Sequence, residues 1–287
     1  MVFRLDCIFV SDIHGKIKHY EKLFQIIKKE EPDGVFLGGD LLPNQFVDSN
    51  VNIFIKKQIF LEINKIKNSV KKKIRFFTIL GNDDPRFYEK LFLSADKKNL
   101  IDYVHNKTVH FKKFFVAGYA YIPPSPFKLK DWEKYDVSHF VDVGAVSPEA
   151  GVRTTEVSED KIRDSTIAED LENLSKKSPV KKTIFLFHSP PYNSNLDRAD
   201  LEGKKVDHTP FDIHIGSIAI QRFIDEKQPL LTLHGHVHES VRLTGHWKEK
   251  MGNTYCFSAA HDGPELSLIR FDTNNLQKAT REIIPLF

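Results

Sequence analysis

An α/β fold is what this sequence predicts, on three observations. Short apolar runs alternate with stretches of helical period. The runs at residues 5–11, 35–37, 74–80, 183–187 and 230–233 each end in a polar cluster. Gly, Pro and Asp stand at the junctions, where turns belong.

The order of elements follows from these signals. Residues 5–11 form a nearly continuous apolar strand, which stops at Asp12-Ile13-His14-Gly15. Ile17, Tyr20, Phe24 and Ile27 then mark a helix over 17–31, ended by Pro32-Asp33-Gly34. The strand at 35–37 closes in Gly38-Gly39-Asp40, and Ile55, Ile59, Ile63 and Ile66 place a helix over about 51–67. A third strand, 74–80, runs into Gly81-Asn82-Asp83-Asp84-Pro85, with a short helix over 87–92. Residues 109–119 have the pattern of a hairpin or two adjoining strands. Residues 127–158 hold no sustained period, and a helical pattern returns over 160–177. The strand at 183–187 delivers His188. A helix begins near Ser217, and its N-terminus could receive a phosphate. The strand at 230–233 delivers His234-Gly235-His236-Val237-His238. Four short β-like segments follow, at 241–243, 254–258, 266–271 and 278–284.

Composition narrows the class. The 287 residues, 40% apolar and with 23 Phe, can bury a large core, and no linker divides them. One domain over 1–287 is expected, with about 122–160 as an insertion or cap. The formal charge is +3, and the basic residues fall in small groups such as Lys71-Lys72-Lys73, so a nucleic-acid partner is not expected. Cys7 and Cys256 are too few and too far apart for a disulfide framework or a thiolate zinc site, and buried small residues are the simpler reading. No run approaches membrane-spanning length, and the first ten residues carry charges inside their apolar stretch. A cytoplasmic protein without a membrane partner is the default expectation.

Strand ends are where open α/β sheets place their sites. Those of this chain offer Asp12, His14, Asp40, Asn82, His188, His236 and His238, all nitrogen or oxygen donors and none a thiolate. Such a set suits Mn²⁺, Fe²⁺ or Zn²⁺. Seven donors exceed one tetrahedral ion, whereas two ions sharing a carboxylate would use them all, as in sites that attack phosphate esters. His234 is read as pointing away from them. His208 and His214, in the long loop before Ser217, are read as solvent-facing.

In this order, Asp12-x-His14, Gly38-Gly39-Asp40, Gly81-Asn82-x-Asp84, the lone His188 and Gly235-His236-x-His238 resemble the motifs of the calcineurin-like metallophosphoesterases. The resemblance runs from residue 8 to about 240. It implies a four-layer αββα sandwich, in which two mixed β-sheets are flanked by helices, with two divalent metal ions at the strand ends. Mn²⁺ stands first among these, then Fe²⁺ or Zn²⁺. Asp12, His14 and His238 would hold one ion, Asp40 would bridge, and Asn82, His188 and His236 would hold the other. The implied activity is hydrolysis of a phosphodiester or phosphomonoester, on a small phosphate ester or nucleotide, by in-line attack of a metal-bridging hydroxide.

One position departs from many relatives, which carry His where this chain has Asp83. Asp83 could serve as a general acid if Asp84 beside it raises its pKa, with Asp84 as the second candidate acid of the pair, or Asp83 could be a turn residue, the simpler reading. The similar branch of the family also has Gly-Asn-x-Asp, His-x-Pro-Pro-Tyr and Gly-His-x-His-Glu-Ser, which favours a diester. A second reading keeps the fold as an interaction scaffold with weak or no catalysis. A metallo-β-lactamase-like hydrolase would need a His-rich cluster early in the chain. Asp12-Ile13-His14 stands there instead.

Overall fold

The computed structural model describes residues 5–44 and 50–286; the expectation for residues 1–4 lies outside them. In chain order, β1 (Asp6–Val10), α1 (Ile17–Glu30), β2 (Gly34–Gly38) and α2 (Val51–Phe54) lead through a π turn at Ile55–Phe60 into α3 (Leu61–Ser69). Then come β3 (Arg75–Ile79), α4 (Glu89–Lys97), β4 (Asp102–Tyr103), β5 (Thr108–Phe111) and β6 (Phe114–Tyr119). After the irregular stretch stand α5 (Glu159–Asp164), α6 (Ile167–Ser175), β7 (Thr183–Phe187), β8 (Lys205–Val206), β9 (Thr209–Pro210) and α7 (Ile218–Lys227). The chain closes with β10 (Leu231–His234), α8 (Ser240–Thr244), β11 (Lys248–Met251), β12 (Thr254–Ser258), β13 (Leu266–Asp272) and β14 (Thr280–Ile284).

Two mixed six-stranded sheets form the middle of the molecule, in the orders β14-β13-β1-β2-β3-β4 and β11-β12-β10-β7-β6-β5. Within the first, β1 to β4 run parallel; within the second, β6, β7, β10 and β12 do. Helices cover the outer faces, which gives the expected αββα sandwich. Both faces of the central strands are therefore buried, and their residues are apolar throughout instead of alternating. Phenylalanines join the sheets: Phe36 stacks on Phe77 at 4.9 Å, and both face Phe111 of the opposite sheet edge-on. Cys7 and Cys256 are buried and free.

Three expectations need correction. The helix expected over 160–177 is two helices, because Thr166 starts α6 afresh with a capping box, its hydroxyl accepting from the Glu169 amide at 3.2 Å. Residues 241–243 lie in α8, closed by Gly245 at φ 75°; a three-residue apolar run has no period to tell strand from helix. The N-terminus of α7 is not open to a phosphate. Asp136 fills it, accepting from the Ser217 hydroxyl at 2.5 Å and the Ile218 amide at 2.6 Å.

Candidate metal centre

The parallel strands of both sheets end at one edge, and the seven candidate donors stand in the loops that leave it. Asp12 and His14 follow β1, Asp40 follows β2, Asn82 follows β3, His188 follows β7, and His236 and His238 follow β10. Four of these residues hold the left-handed backbone that only Gly adopts freely: Asp12 (φ 57°), His14 (φ 48°), Asp40 (φ 51°) and His236 (φ 72°). Backbone bonds hold the chain in these turns. The amides of Asp12, His14 and Gly15 donate to the carbonyls of Gly39, Asp40 and Leu41 at 2.8–3.0 Å, lacing the first loop to the second.

Ligand atoms of Asp12, His14, Asp40 and His238 lie within 4.8 Å of one another. His14 and His238 meet Nε2 to Nε2 at 3.2 Å, and His238 Nε2 stands 3.4 Å from Asp12 Oδ1. On the other side of Asp40, His188 Nε2 faces Asp40 Oδ2 at 3.2 Å and Asn82 Oδ1 at 3.0 Å. The His236 ring lies beside that of His188, centroids 5.4 Å apart. Asp40 thus touches both groups. Its second oxygen accepts from the Asp83 amide at 2.8 Å.

The supporting bonds set the rings for ligation. His188 places Nδ1 on the Gly38 carbonyl at 2.9 Å, which fixes that nitrogen as a donor and turns Nε2 toward the centre, where a cation would displace its proton. Asp12 Oδ1 accepts from the His236 amide at 3.0 Å, while the buried Oδ2 has no hydrogen-bond partner among the described residues. A buried carboxylate oxygen without a donor is costly unless a cation meets it. Gly235 makes the close approach possible: a Cβ there would lie 2.5 Å from Asp12 Oδ2.

The electrostatics favour positive charge at both places. Burial would lower the pKa of His188, yet the Asp40 carboxylate drives it up to about 10. Burial likewise opposes His238, but Asp12 raises it to about 9. Burial would raise Asp12, and its bond to His238 holds it well below the usual carboxylate range. His236, buried and next to His188, is lowered to about 3 and stays a neutral donor. All seven groups are oxygen or imidazole donors, and with the unpartnered Asp12 Oδ2 they fit divalent cations.

Around this centre, the remaining sequence candidates take different places. Asp84, the second candidate acid beside Asp83, is fully buried, and its carboxylate accepts from the amides of Gly81, Leu41 and Leu42 at 2.8–3.1 Å. It therefore clamps two loops together and does not face the opening, which corrects that assignment. The Asp83 carboxylate is more than half exposed; it accepts from Asn82 Nδ2 at 3.0 Å and lies 3.7 Å from His14 Nδ1. It thereby turns the Asn82 carbonyl oxygen toward His188. His234 points away, its ring bonded to the Ser189 carbonyl and the Thr232 hydroxyl. His208 is exposed, whereas His214, expected in solvent, pairs with Asp197 at 2.7 Å. Sequence reasoning missed Trp132, whose indole donates to the Asp84 carbonyl at 2.7 Å; no spacing signal connects the two.

Comparison with known proteins bears on the fold and the family. The chain is 30% identical over 124 residues to the uncharacterized protein MJ1162 of Methanocaldococcus jannaschii, a match covering 42% of this chain and 48% of that one. The chain thus matches about half the length of that curated relative. Among solved structures, TT1561 of Thermus thermophilus superposes with a TM-score of 0.57 at 16% identity, covering 99% of this chain and 100% of that one. A dimetal phosphatase from Danio rerio superposes with a TM-score of 0.55 at 10% identity, covering 93% and 91%. Residues 6–240 match the family model described as calcineurin-like phosphoesterase, and with the strand-end donors of both sheets gathered at one edge, the chain belongs to that family.

Proposed function

We propose that this chain is a divalent-metal-dependent phosphoesterase that prefers phosphodiesters. The observation that carries the reading is the meeting of Asp12, His14, Asp40 and His238 around a buried carboxylate oxygen that nothing else satisfies among the described residues. The dimetal phosphatase that shares the fold is consistent with two ions. Asp12, His14, Asp40 and His238 would hold one, and Asp40, Asn82, His188 and His236 the other, with Mn²⁺ first among the candidates. Bound there, the ions would neutralise phosphoryl charge and make a water nucleophilic near neutral pH.

The protein's own residues orient and restrain. Gly38 fixes the tautomer of His188, and the backbone amides of His236 and Asp83 hold Asp12 and Asp40 in place. Asp83 sets the Asn82 amide so that oxygen, not nitrogen, enters the centre. Hydrolysis adds water across the P–O bond, the leaving oxygen taking a proton. Where many relatives carry a histidine this chain has the Asp83 carboxylate, so departure of an alcohol with little help suits diesters with good leaving groups.

The test is hydrolysis of bis(p-nitrophenyl) phosphate by protein stripped of metal and then resupplied with Mn²⁺, Fe²⁺ or Zn²⁺, alongside metal analysis. Asp40→Asn and His236→Ala should each abolish metal-dependent turnover while leaving the protein folded by circular dichroism. Full turnover in either variant would overturn the assignment.

A further inference from the structure

A cleft of about 780 Å³ opens beside the centre, with His14 and Asp83 at its inner end. Its outer wall comes from the irregular stretch of the chain, residues 127–129 and 152–154. These two strips are fixed to each other and to the body of the protein. Val152 donates to the Lys128 carbonyl and accepts from the Lys130 amide, both at 2.8 Å. Asp131 accepts from the amides of Arg86 and Thr154 at 2.8 Å and from the Thr154 hydroxyl, and buried Lys130 pairs with Glu133. The wall is therefore built, not a loose insertion.

What the wall presents is unusual for a solvated surface. Phe127 and Val152 are 59% and 60% exposed, and Leu129, bridged to Val152, lines the cleft with them. Next to these apolar faces stand two cations, Lys128 and Arg153. Arg153 is only partly exposed, yet makes no hydrogen bond or ion pair among the described residues. Its largest attraction is to the Asp131 carboxylate, whose oxygens are already taken by three donors. A partly desolvated guanidinium without a partner is a ready site for a phosphate, and a bare phenyl ring next to it is a stacking face.

From this arrangement we infer that the cleft receives the organic part of a nucleotide-class substrate, a phosphodiester with a base and a second phosphate besides the scissile one. The base lies on Phe127, against Leu129 and Val152. Arg153, with Lys128, binds the second phosphate at the outer end, away from the Asp83 carboxylate, which repels it from the inner end. The inference rests on the phosphoesterase reading and names the substrate class of that site.

The test compares two dinucleotides, pApA and ApA, which differ only by the 5′-terminal phosphate, with bis(p-nitrophenyl) phosphate as the reference, all with Mn²⁺. The wild-type kcat/KM for pApA should exceed that for ApA by about tenfold or more, the value of one charge-assisted phosphate contact. Arg153→Ala should collapse that preference through KM, Arg153→Lys should restore part of it, and Phe127→Ala should weaken both dinucleotides more than the reference ester. Equal use of pApA and ApA, turnover of the reference with neither dinucleotide cleaved, or a preference that survives Arg153→Ala would each overturn the inference. Failure to hydrolyse any of the three with metal present would instead overturn the phosphoesterase reading beneath it.

Discussion

The indole nitrogen of Trp132 donates to the main-chain carbonyl of Asp84 at 2.7 Å, and this bond, with that from the Arg86 amide to Asp131, ties the irregular stretch of the chain to the loop that carries Asn82. Trp132 is fully buried, packed against Tyr121 and His105 and beneath the Arg86 guanidinium. Trp132→Phe would keep much of that packing and remove the donor. The buried carbonyl would lose its partner, a loss of about 1–3 kcal/mol in unfolding free energy, measured by urea denaturation. Mn²⁺ affinity should fall with it, because Asn82 stands two residues from the freed carbonyl. A variant as stable as wild type would show that the bond is incidental.

Asp84 itself binds three amides from two loops, those of Gly81, Leu41 and Leu42. Burial and the nearby Asp40 push its pKa up, to about 7, while the three amides pull it back. Truncation leaves all three donors buried and unpaired. Asp84→Ala should therefore cost about 3 kcal/mol or more, and Asp84→Asn, which keeps one acceptor oxygen, distinctly less. Denaturant unfolding of the pair decides it: equal losses would mean that the carboxylate is not the clamp.

How much of this was legible in the sequence depends on whether a contact has a spacing that betrays it. The five strand-end clusters were legible because parallel strands must deliver their loops to one edge, so Asp12 and His238 can be paired on paper across more than two hundred residues. The left-handed backbone at Asp12, His14, Asp40 and His236 was not, since nothing in a single Asp or His announces φ. Nor were the roles of Asp84, Asp136 and Trp132. Each joins irregular segments 42 to 82 residues apart, where no period relates the partners, and Asp84 reads as a catalytic acid only because the sequence shows its neighbours and not its three amides. The break between α5 and α6 was in principle readable, because Thr166 and Glu169 spell a capping box.

Acid sensitivity should be felt far from the centre, at Asp33. Burial alone would raise its pKa, but hydrogen bonds from Lys112 and Lys72 and from the Asp6 amide hold it below the ordinary value. A carboxyl group whose pKa is lower folded than unfolded stabilises the fold above the unfolded pKa, about 3.9, and that contribution fades as pH falls through the folded value. The stability gap between wild type and Asp33→Asn should thus be largest near neutral pH and close progressively below about pH 4. Urea unfolding at a series of pH values measures it, and a gap that stays constant into acid would remove the ion pairs as its source.

Gly235 offers the sharpest separation of stability from metal binding. A Cβ there would stand 1.9 Å from Ser11 Oγ and 2.5 Å from Asp12 Oδ2. The serine hydroxyl can rotate away at small cost, but the Asp12 carboxylate cannot move without leaving the group it shares with His14, Asp40 and His238. Gly235→Ala should therefore keep a cooperative unfolding transition while losing Mn²⁺ affinity by about tenfold or more, the scale typical of disturbing a ligand's supports. Gly245→Ala is the control. Its φ of 75° strains any side chain by about 1 kcal/mol, yet nothing lies within 4 Å of the new methyl group, so it should cost stability and leave metal titration as in wild type. Calorimetric Mn²⁺ titration of both variants, paired with thermal melts, reads the two effects separately. Undiminished affinity in Gly235→Ala would mean that Asp12 is free to move and is not held where a cation needs it.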